Sequence, residues 1–142
     1  MPLIIRDPRM PKEKRNTLDD SFTLNIDLAE TILGAAGVDP HPGMQGRDMS
    51  DLYLSEPKSS DPWREEFYYE WTPQDEGPGF PSSTALVRKN YKYMHWPQFE
   101  YEQLFDMLAD PLEENDIAKN SSYASILSEM RERHNELAKT VI

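Results

Sequence analysis

The chain has 142 residues, a length that suits one domain of ordinary size, and 37% of them are hydrophobic, so we expect a folded core. Its 26 acidic and 15 basic residues give a net charge of −11, which argues against nucleic acid and anionic membranes as partners because phosphate binding needs a basic face. The absence of cysteine excludes disulfides, thiolate zinc sites and a cysteine nucleophile, and no apolar stretch of the sequence is long enough to cross a membrane.

The first 38 residues predict one strand and one helix. Leu3-Ile4-Ile5 is an apolar run typical of a strand buried on both faces of a parallel sheet. Asn25 or Asp27 can cap a helix that ends at Gly37. The apolar residues of this helix are Ile26, Leu28, Ile32, Leu33 and Ala36.

One strand and one helix cannot bury a parallel sheet by themselves. A chain that opens within a strand therefore suggests a piece cut from a longer protein. We expect the Leu3-Ile4-Ile5 run and the apolar side of the helix to be exposed, and this patch predicts either self-association or disorder of roughly the first 40 residues.

The middle of the chain predicts a connector followed by an antiparallel sheet. Residues 40–63 begin with several prolines and glycines and suit a connector. A sheet of about three to four strands is predicted within residues 64–107. The strand-forming runs are residues 66–71, 84–88, 91–95 and a short last strand at 103–106, with Lys89-Asn90 as a tight hairpin connector. Residues 72–83 hold three prolines and two glycines and predict a loop.

The last predicted element is a helix over residues 121–138, which Asn120 or Ser121 can cap. Its apolar residues fall at helical spacing and form one stripe that covers one face of the sheet: Tyr123, Ile126, Leu127, Met130 and Leu137. Glu129 and Arg133 lie one turn apart and predict an ion pair on the outer face. The fold class is therefore α+β, with a small antiparallel β-sheet packed against a C-terminal helix. Capping also explains the glycosylation sequon Asn120-Ser121-Ser122 without a glycan.

Five short segments occur in an order that is hard to obtain by chance. They are Pro2-Leu3-Ile4-Ile5-Arg6-Asp7-Pro8; Ser21-Phe22-Thr23-Leu24-Asn25-Ile26-Asp27-Leu28-Ala29 with Thr31-Ile32-Leu33 and Ala36-Gly37; Gln45-Gly46-Arg47-Asp48; Val87-Arg88 with Tyr91-Lys92-Tyr93; and Glu102-Gln103-Leu104-Phe105-Asp106 with Asp110-Pro111 and Glu113-Glu114-Asn115. Each segment alone is explained as a strand, cap or turn. In this order they resemble the C-terminal part of sulfatases, which belong to the alkaline-phosphatase-like superfamily. Glu30 stands where that family usually has proline, a change that the first turn of a helix tolerates.

The resemblance implies a division of the chain and a partner for it. Residues 1–54 resemble the C-terminal edge (strand, loop and helix) of the α/β catalytic domain, and residues 55–142 resemble the C-terminal subdomain. The implied partner is the remainder of the catalytic domain, and the implied reaction of the whole enzyme is hydrolysis of a sulfate ester. Carbohydrate, aryl and choline sulfates all remain open as substrates.

The family's chemistry is implied to lie outside this chain. Sulfatases convert a Cys or Ser within Cys/Ser-x-Pro-x-Arg into formylglycine, and they hold a divalent metal, usually calcium, with pairs of acidic residues. In the family these groups precede the segment that Pro2 to Pro8 resembles. We therefore expect no catalytic residue, metal or cofactor in this chain and no activity from it alone. Asp19-Asp20 follows that segment, so it is not a predicted metal site.

Two alternatives to a sulfatase remain. The chain can belong to a related phosphodiesterase or phosphonate monoester hydrolase, since the distinguishing chemistry lies elsewhere. It can also be a non-catalytic interaction module with a sulfatase-like C-terminus. The nucleophile encoded upstream distinguishes the first alternative, and a reading frame that starts at Met1 favours the second.

The best candidates for contact with a substrate are Glu70, Trp71 and Phe80, which flank the loop after the first sheet strand. The aromatic rings can stack on a sugar or aryl group, and Glu70 can accept a hydrogen bond from a hydroxyl. The alternative that we favour for these aromatic residues is ordinary packing in a core or loop.

Three other groups have plainer explanations. The run from Glu100 to Asp116 holds seven acidic residues, and a solvated turn before a helix N-terminus explains them better than a metal site, because the register of a calcium loop is missing. The three histidines, His41, His95 and His134, share no metal-ligand spacing. A basic patch near the start can steer a sulfated anion, although a solvated loop explains it better: Arg6, Arg9, Lys12, Lys14 and Arg15.

Overall fold

A computed structural model describes residues 3–56, 59–73 and 80–141 of the chain. The fold divides into two compact units, residues 1–64 and residues 65–142. The assignment of residues 1–54 and 55–142 to two domains of a larger enzyme is a separate matter and stays a prediction. Within the described ranges, no helix is long and apolar enough to span a membrane.

The first unit contains a 3-10 turn, Lys12–Lys14, and two helices, α1 (Asp27–Ala36) and α2 (Ser50–Tyr53). Helix α1 ends as predicted, because Gly37 adopts the left-handed conformation with φ of 69° and the N–H of Val38 returns to the carbonyl of Leu33 at 3.0 Å. The predicted strand at residues 3–5 is not formed. A parallel strand needs hydrogen-bonded neighbours, and residues 3–5 have no strand partner here.

The expected exposure of the apolar residues in the first unit is confirmed for most of them, whereas Ile5 and Leu33 are half-buried. Ile4 is 92% exposed, and the exposed large hydrophobic residues around α1 include Ile26, Leu28 and Ile32. Self-association through this patch stays a prediction. The segment at residues 40–63 is more than the connector that the sequence predicts, because it contains α2 and the buried Met49, whose N–H donates to Thr31 Oγ1 at 2.9 Å.

A buried carboxylate holds the first unit together. Asp27 is fully buried and accepts hydrogen bonds from the backbone N–H of Leu24 at 2.7 Å and of Arg47 at 2.9 Å. Both of its oxygens also pair with the guanidinium of Arg64. Burial raises the pKa of Asp27, but the hydrogen bonds from Arg64 and the backbone outweigh it, so the pKa lies below its ordinary value. The guanidinium groups of Arg47 and Arg64 also lie over the ring of Trp63, 4.7 and 5.1 Å from its centroid.

The second unit is a four-stranded antiparallel sheet with strand order β1-β2-β3-β4. The strands are β1 (Glu66–Trp71), β2 (Ser83–Arg88), β3 (Tyr91–Trp96) and β4 (Tyr101–Asp106). The predicted hairpin across Lys89-Asn90 is confirmed, since Val87 pairs with Lys92. The last strand begins two residues earlier than predicted, because Tyr101 pairs with Trp96. In the predicted loop at 72–83, residues 74–79 lie outside the described residues.

The final helix, α3 (Ala124–Ala138), follows a 3-10 turn at Ser121–Tyr123. Asn120 caps the 3-10 turn, because its Oδ1 accepts the N–H of Ser122 at 3.0 Å, whereas α3 itself begins after Tyr123 without a side-chain cap. Helix α3 covers one face of the sheet, here called the helix face, and the opposite face is called the second face. The core between helix and sheet consists of Leu86, Tyr93, Leu104, Leu127 and Met130. The predicted α+β architecture is thus confirmed.

The predicted ion pair between Glu129 and Arg133 is wrong. Glu129 pairs with Arg88 of β2, while Arg133 pairs with Glu66 of β1 at 2.6 Å and with Glu136 at 2.8 Å. Glu66 also accepts a hydrogen bond from Arg88 Nε at 2.8 Å. Partners on the sheet replace the pair within the helix, because this side of α3 lies beside β1 and β2 rather than facing water alone.

Candidate functional site

The predicted substrate-contacting residues lie at one end of the sheet. Glu70 and Trp71 are the last two residues of β1, and Phe80 precedes β2. Trp71 is 52% exposed and Phe80 is 82% exposed, so neither ring is buried in a core formed by the described residues. Glu70 is exposed and accepts a hydrogen bond from the hydroxyl of Tyr68 at 3.3 Å. The carboxylate and both rings are therefore accessible at this end of the sheet.

The strand register brings three further residues into line with Trp71. Trp71 pairs with Ser83, and Trp96 pairs with Tyr101. Thr84 pairs with His95, so continuing that register by one residue brings Trp96 beside Ser83. We call these four residues, Trp71, Ser83, Trp96 and Tyr101, the aromatic row. With a strand spacing of about 4.8 Å, it spans about 14 Å across the sheet.

The aromatic row lies on the second face, away from α3. The rings of Tyr68 and Tyr93 contact His134 of α3, at centroid distances of 5.2 and 5.1 Å, which places both tyrosines on the helix face. Successive side chains of a strand point to opposite faces, so Trp71, three residues after Tyr68, points to the second face. Trp96, three residues after Tyr93, does the same, and Tyr101 faces the same way because it is directly opposite Trp96.

Hydrogen bonds fix the polar edges of two rings in the aromatic row. Trp96 Nε1 donates to Gln103 Oε1 at 2.9 Å, and the Tyr101 hydroxyl donates to Asp116 Oδ2 at 2.8 Å. The hydrogen bond to Asp116, together with burial, raises the pKa of Tyr101. Sequence reasoning missed Trp96 and Tyr101 as site residues. These two residues are directly opposite each other on β3 and β4. Finding this pair from the sequence requires the register of the two strands as well as their positions.

The structure brings together two histidines that the sequence separates. His134 is buried between α3 and the sheet, its Nε2 lies 2.9 Å from Thr84 Oγ1, and its ring centroid lies 6.2 Å from that of His95. Burial lowers the pKa of His134. His41 belongs to the first unit and lies on an exposed segment, where its Nδ1 accepts the N–H of Gly43 at 3.1 Å. The pair of histidines is a packed contact at the helix–sheet interface.

The acidic run from Glu100 to Asp116 has structural partners. Asp106, Asp110 and Asp116 accept hydrogen bonds from nearby backbone N–H groups and so shape the turns after β4. Glu102 forms an ion pair with Arg131 at 2.6 Å, and Glu113 forms one with Lys92 at 2.6 Å. These contacts account for five of the seven acidic residues by turn formation and by attachment of the turn to the sheet and helix, and the other two, Glu100 and Glu114, are exposed.

Members of the predicted basic patch are likewise engaged within the first unit. Arg9 pairs with Asp7 at 2.6 Å, and the hydrogen bonds from Arg9 lower the pKa of Asp7 to about 2. Lys14 Nζ donates to the carbonyl of Leu52 at 3.2 Å, and Arg15 Nε donates to the carbonyl of Met10 at 3.0 Å. Much of the patch thus organises its own loop.

The residues present do not fit the calcium and formylglycine that the family resemblance implies. Across residues 3–56, 59–73 and 80–141, no three acidic or histidine side chains form a group that could hold a metal ion. The chain has no cysteine, although Ser60-Asp61-Pro62-Trp63-Arg64 has the order Ser-x-Pro-x-Arg. Its arginine is committed to the buried Asp27 and its tryptophan to the carbonyl of Phe22, so this match is part of the scaffold.

The comparisons with known proteins agree with one another in matching the chain to sulfatases. The family model described as "N-sulphoglucosamine sulphohydrolase, C-terminal" matches residues 1–140. The N-acetylglucosamine-6-O-sulfatase of Bacteroides thetaiotaomicron is 28% identical over 140 residues, a match that covers 98% of this chain and 25% of that protein. The chain spans about a quarter of the length of the curated relatives it matches.

Solved structures share the fold. A structure described as a complex with its substrate, D-glucosamine-2-N,6-O-disulfate, is 26% identical with a TM-score of 0.70 and covers 80% of this chain and 23% of that chain. The phosphonate monoester hydrolase of Agrobacterium radiobacter also has a TM-score of 0.70, at 20% identity, and covers 86% of this chain and 26% of that chain. At that identity the second likeness shows the fold alone. Both likenesses cover less than a third of the known chain.

Proposed function

The chain belongs to the N-sulphoglucosamine sulphohydrolase C-terminal family, and from this we propose that it is the C-terminal part of an enzyme that hydrolyses sulfate esters of sugars. The match over residues 1–140 is the observation that carries the proposal. The sugar class is suggested by relatives described as acting on N-acetylglucosamine and on D-glucosamine-2-N,6-O-disulfate.

We place the reacting groups of this enzyme outside residues 1–142. The described residues offer no metal-binding group, and the single Ser-x-Pro-x-Arg match has its arginine tied to Asp27. Calcium and formylglycine would therefore be supplied by the remainder of the catalytic domain, which is the proposed partner of this chain. The 142-residue chain alone is expected to be inactive.

The role left to this chain is to contribute to the entrance of the substrate cleft. Glu70, Trp71 and Phe80 are accessible at one end of the sheet, where the Glu70 carboxylate lies on the helix face and the Trp71 ring on the second face. Sugars present hydroxyl donors at their edges and C–H groups on their faces, so this combination suits them. These three residues act by holding the substrate, not by taking part in bond cleavage.

The test uses the complete reading frame that encodes the chain and, in parallel, the 142-residue chain. Each is incubated with N-acetylglucosamine-6-sulfate, 4-nitrophenyl sulfate and a phosphonate monoester, and product release is compared with a no-protein control. We expect the complete enzyme to release sulfate and the 142-residue chain to release none. Faster cleavage of the phosphonate ester would favour the phosphonate hydrolase instead. Sulfate release by the 142-residue chain, or a complete reading frame that starts at Met1 and is inactive, would refute the proposal.

The proposed contribution of Trp71 to the entrance of the substrate cleft is tested within the complete enzyme. Trp71→Ala is expected to raise KM several-fold and to leave kcat nearly unchanged, because uniform binding of substrate and transition state is lost. Leu112→Ala is the matched control, since Leu112 is also exposed but follows β4 at the opposite end of the sheet. Equal effects of the two substitutions would contradict the assignment of Trp71 to the entrance of the cleft.

A further inference from the structure

The aromatic row leaves ring surface exposed that does not pack in the core of the second unit. That core is formed on the helix face, by Leu86, Tyr93 and Leu104 against α3. On the second face, Trp71 is half exposed and Tyr101 is 39% exposed. Clusters of exposed aromatic residues on one surface generally mark a binding site, whereas single exposed hydrophobic residues do not.

The arrangement of the row suits a ligand that is long, flat and apolar on its faces. Ser83 has a small side chain, so no other bulky residue separates Trp71 from Trp96 in the row. Their strands are two spacings apart, or about 10 Å, and Tyr101 lies about 5 Å beyond Trp96. The row therefore offers successive ring positions along a line rather than one pocket.

We propose that Trp71, Trp96 and Tyr101 form a platform that binds successive sugar rings of an oligosaccharide. The C–H groups on the face of a pyranose carry partial positive charge, and the faces of aromatic rings carry partial negative charge, so the two attract each other on stacking. The identification of the ligand as a saccharide rests on the proposed function. The inference extends that site along the sheet, from the entrance at Trp71 to Tyr101.

The polar groups of the row favour a saccharide over a protein surface. Asp116 accepts from Tyr101 and Gln103 accepts from Trp96, and the carboxylate of Asp116 is itself exposed. A dry protein interface would remove this carboxylate from water, which is costly unless it gains a further partner. Sugar hydroxyl groups donate hydrogen bonds, and carboxylate and amide oxygens retain capacity to accept them.

The direct test is a nuclear magnetic resonance titration of the 142-residue chain with an unsulfated N-acetylglucosamine trisaccharide. The chain has three tryptophans, each with a separate indole N–H signal. We expect the signals of Trp71 and Trp96 to shift together with sugar concentration. Trp63 is the internal control, because it lies in the first unit with its indole N–H bonded to the carbonyl of Phe22 at 2.9 Å.

Variants give the second test. Trp71→Ala, Trp96→Ala and Tyr101→Ala are each expected to weaken the trisaccharide by about two- to tenfold, the range for losing one aromatic stacking contact. Leu112→Ala is the control and is expected to leave the affinity unchanged. The fold of Trp96→Ala is checked by its helical circular dichroism. If this variant does not fold, the shifts of the indole N–H signals in the wild-type chain decide whether Trp96 contacts the sugar.

Several outcomes would overturn the platform. They are the absence of shifts at high sugar concentration, equal shifts of all three indole signals, and shifts that depend on protein concentration without sugar, which would mean that a second copy covers the row. The titration uses no sulfate ester and no turnover, so it is independent of the proposed function. Binding without sulfatase activity of the complete enzyme would refute the function alone, and activity without binding would refute the platform alone.

Discussion

Removal of the Asp27 carboxylate should destabilise the first unit more than any exposed substitution in it. In Asp27→Ala, the guanidinium of Arg64, whose side chain is 12% exposed, loses its counter-ion. The backbone N–H groups of Leu24 and Arg47 lose their acceptor at the same time. All three groups converge on one fully buried side chain, and of the three only the Arg64 guanidinium has another acceptor, the carbonyl of Phe22 at 3.3 Å.

The expected cost follows from these contacts. Breaking a buried ion pair by removing one partner costs about 3–5 kcal/mol, and each buried donor left without an acceptor costs about 1–3 kcal/mol. These contributions overlap, because water can enter the space left by the carboxylate and satisfy part of the loss. We therefore expect the free energy of unfolding of the first unit to fall by about 3 kcal/mol or more.

Amide hydrogen exchange measured by mass spectrometry can separate the two units. A loss of about 3 kcal/mol corresponds to an exchange rate about a hundredfold higher for amides that exchange by opening of the first unit. Peptides from residues 65–142 report on the second unit and should keep their protection. Asp39→Ala is the matched control, because Asp39 is exposed in the same unit. An increase below about tenfold in the first unit, or an equal increase for Asp39→Ala, would refute this reasoning.

Three further predictions concern stability. Burial lowers the pKa of His134, so the unfolded chain binds a proton at this residue more readily than the folded chain does. The second unit should therefore lose stability as the pH falls below about 6.5. Urea unfolding of His134→Gln should not show this contribution to the pH dependence. Met130 is fully buried, so Met130→Ala should lower the urea midpoint of the second unit, at a cost of about 2–5 kcal/mol. A Cβ at Gly46 would collide with the carbonyl oxygen of Ile26. Hydrogen exchange should therefore show that Gly46→Ala costs the first unit about 1–3 kcal/mol, whereas Gly43→Ala should cost little.

The second unit was largely predictable because its order arises from local patterns. Strands of aromatic and β-branched residues, a two-residue hairpin connector and a capped amphipathic helix each have a short-range signal. His134 shows what such patterns still miss. It lies four residues after Met130 and three before Leu137, on the predicted apolar stripe, but its polarity concealed its burial at 4% exposure. The hydroxyl of Thr84, 50 residues earlier, provides the partner that makes this burial possible.

The first unit was harder to predict because its contacts are distant in sequence and mostly polar. Asp27 was expected only as a helix cap, yet it pairs with Arg64, 37 residues later. The strand expected at residues 3–5 depends on neighbouring strands that the described part of the chain does not supply. Similarly, Ser60 to Arg64 reproduces a five-residue catalytic pattern although its arginine is occupied by Asp27. In both segments the residues match the expected sequence pattern, but their contacts with neighbouring residues determine which structure forms.

The core under α3 and the aromatic row use different residues of the sheet. The helix face carries the apolar core together with the ion pairs of Glu66 with Arg133 and of Glu102 with Arg131, and these contacts attach α3 to both outer strands, β1 and β4. The second face carries the aromatic row, whose members lie at the ends of strands and contribute no residue to that core. Substitutions in the row can therefore change ligand binding while the helix and sheet stay packed. This separation makes the affinity measurements on the row informative, because a loss of binding need not reflect a loss of the fold.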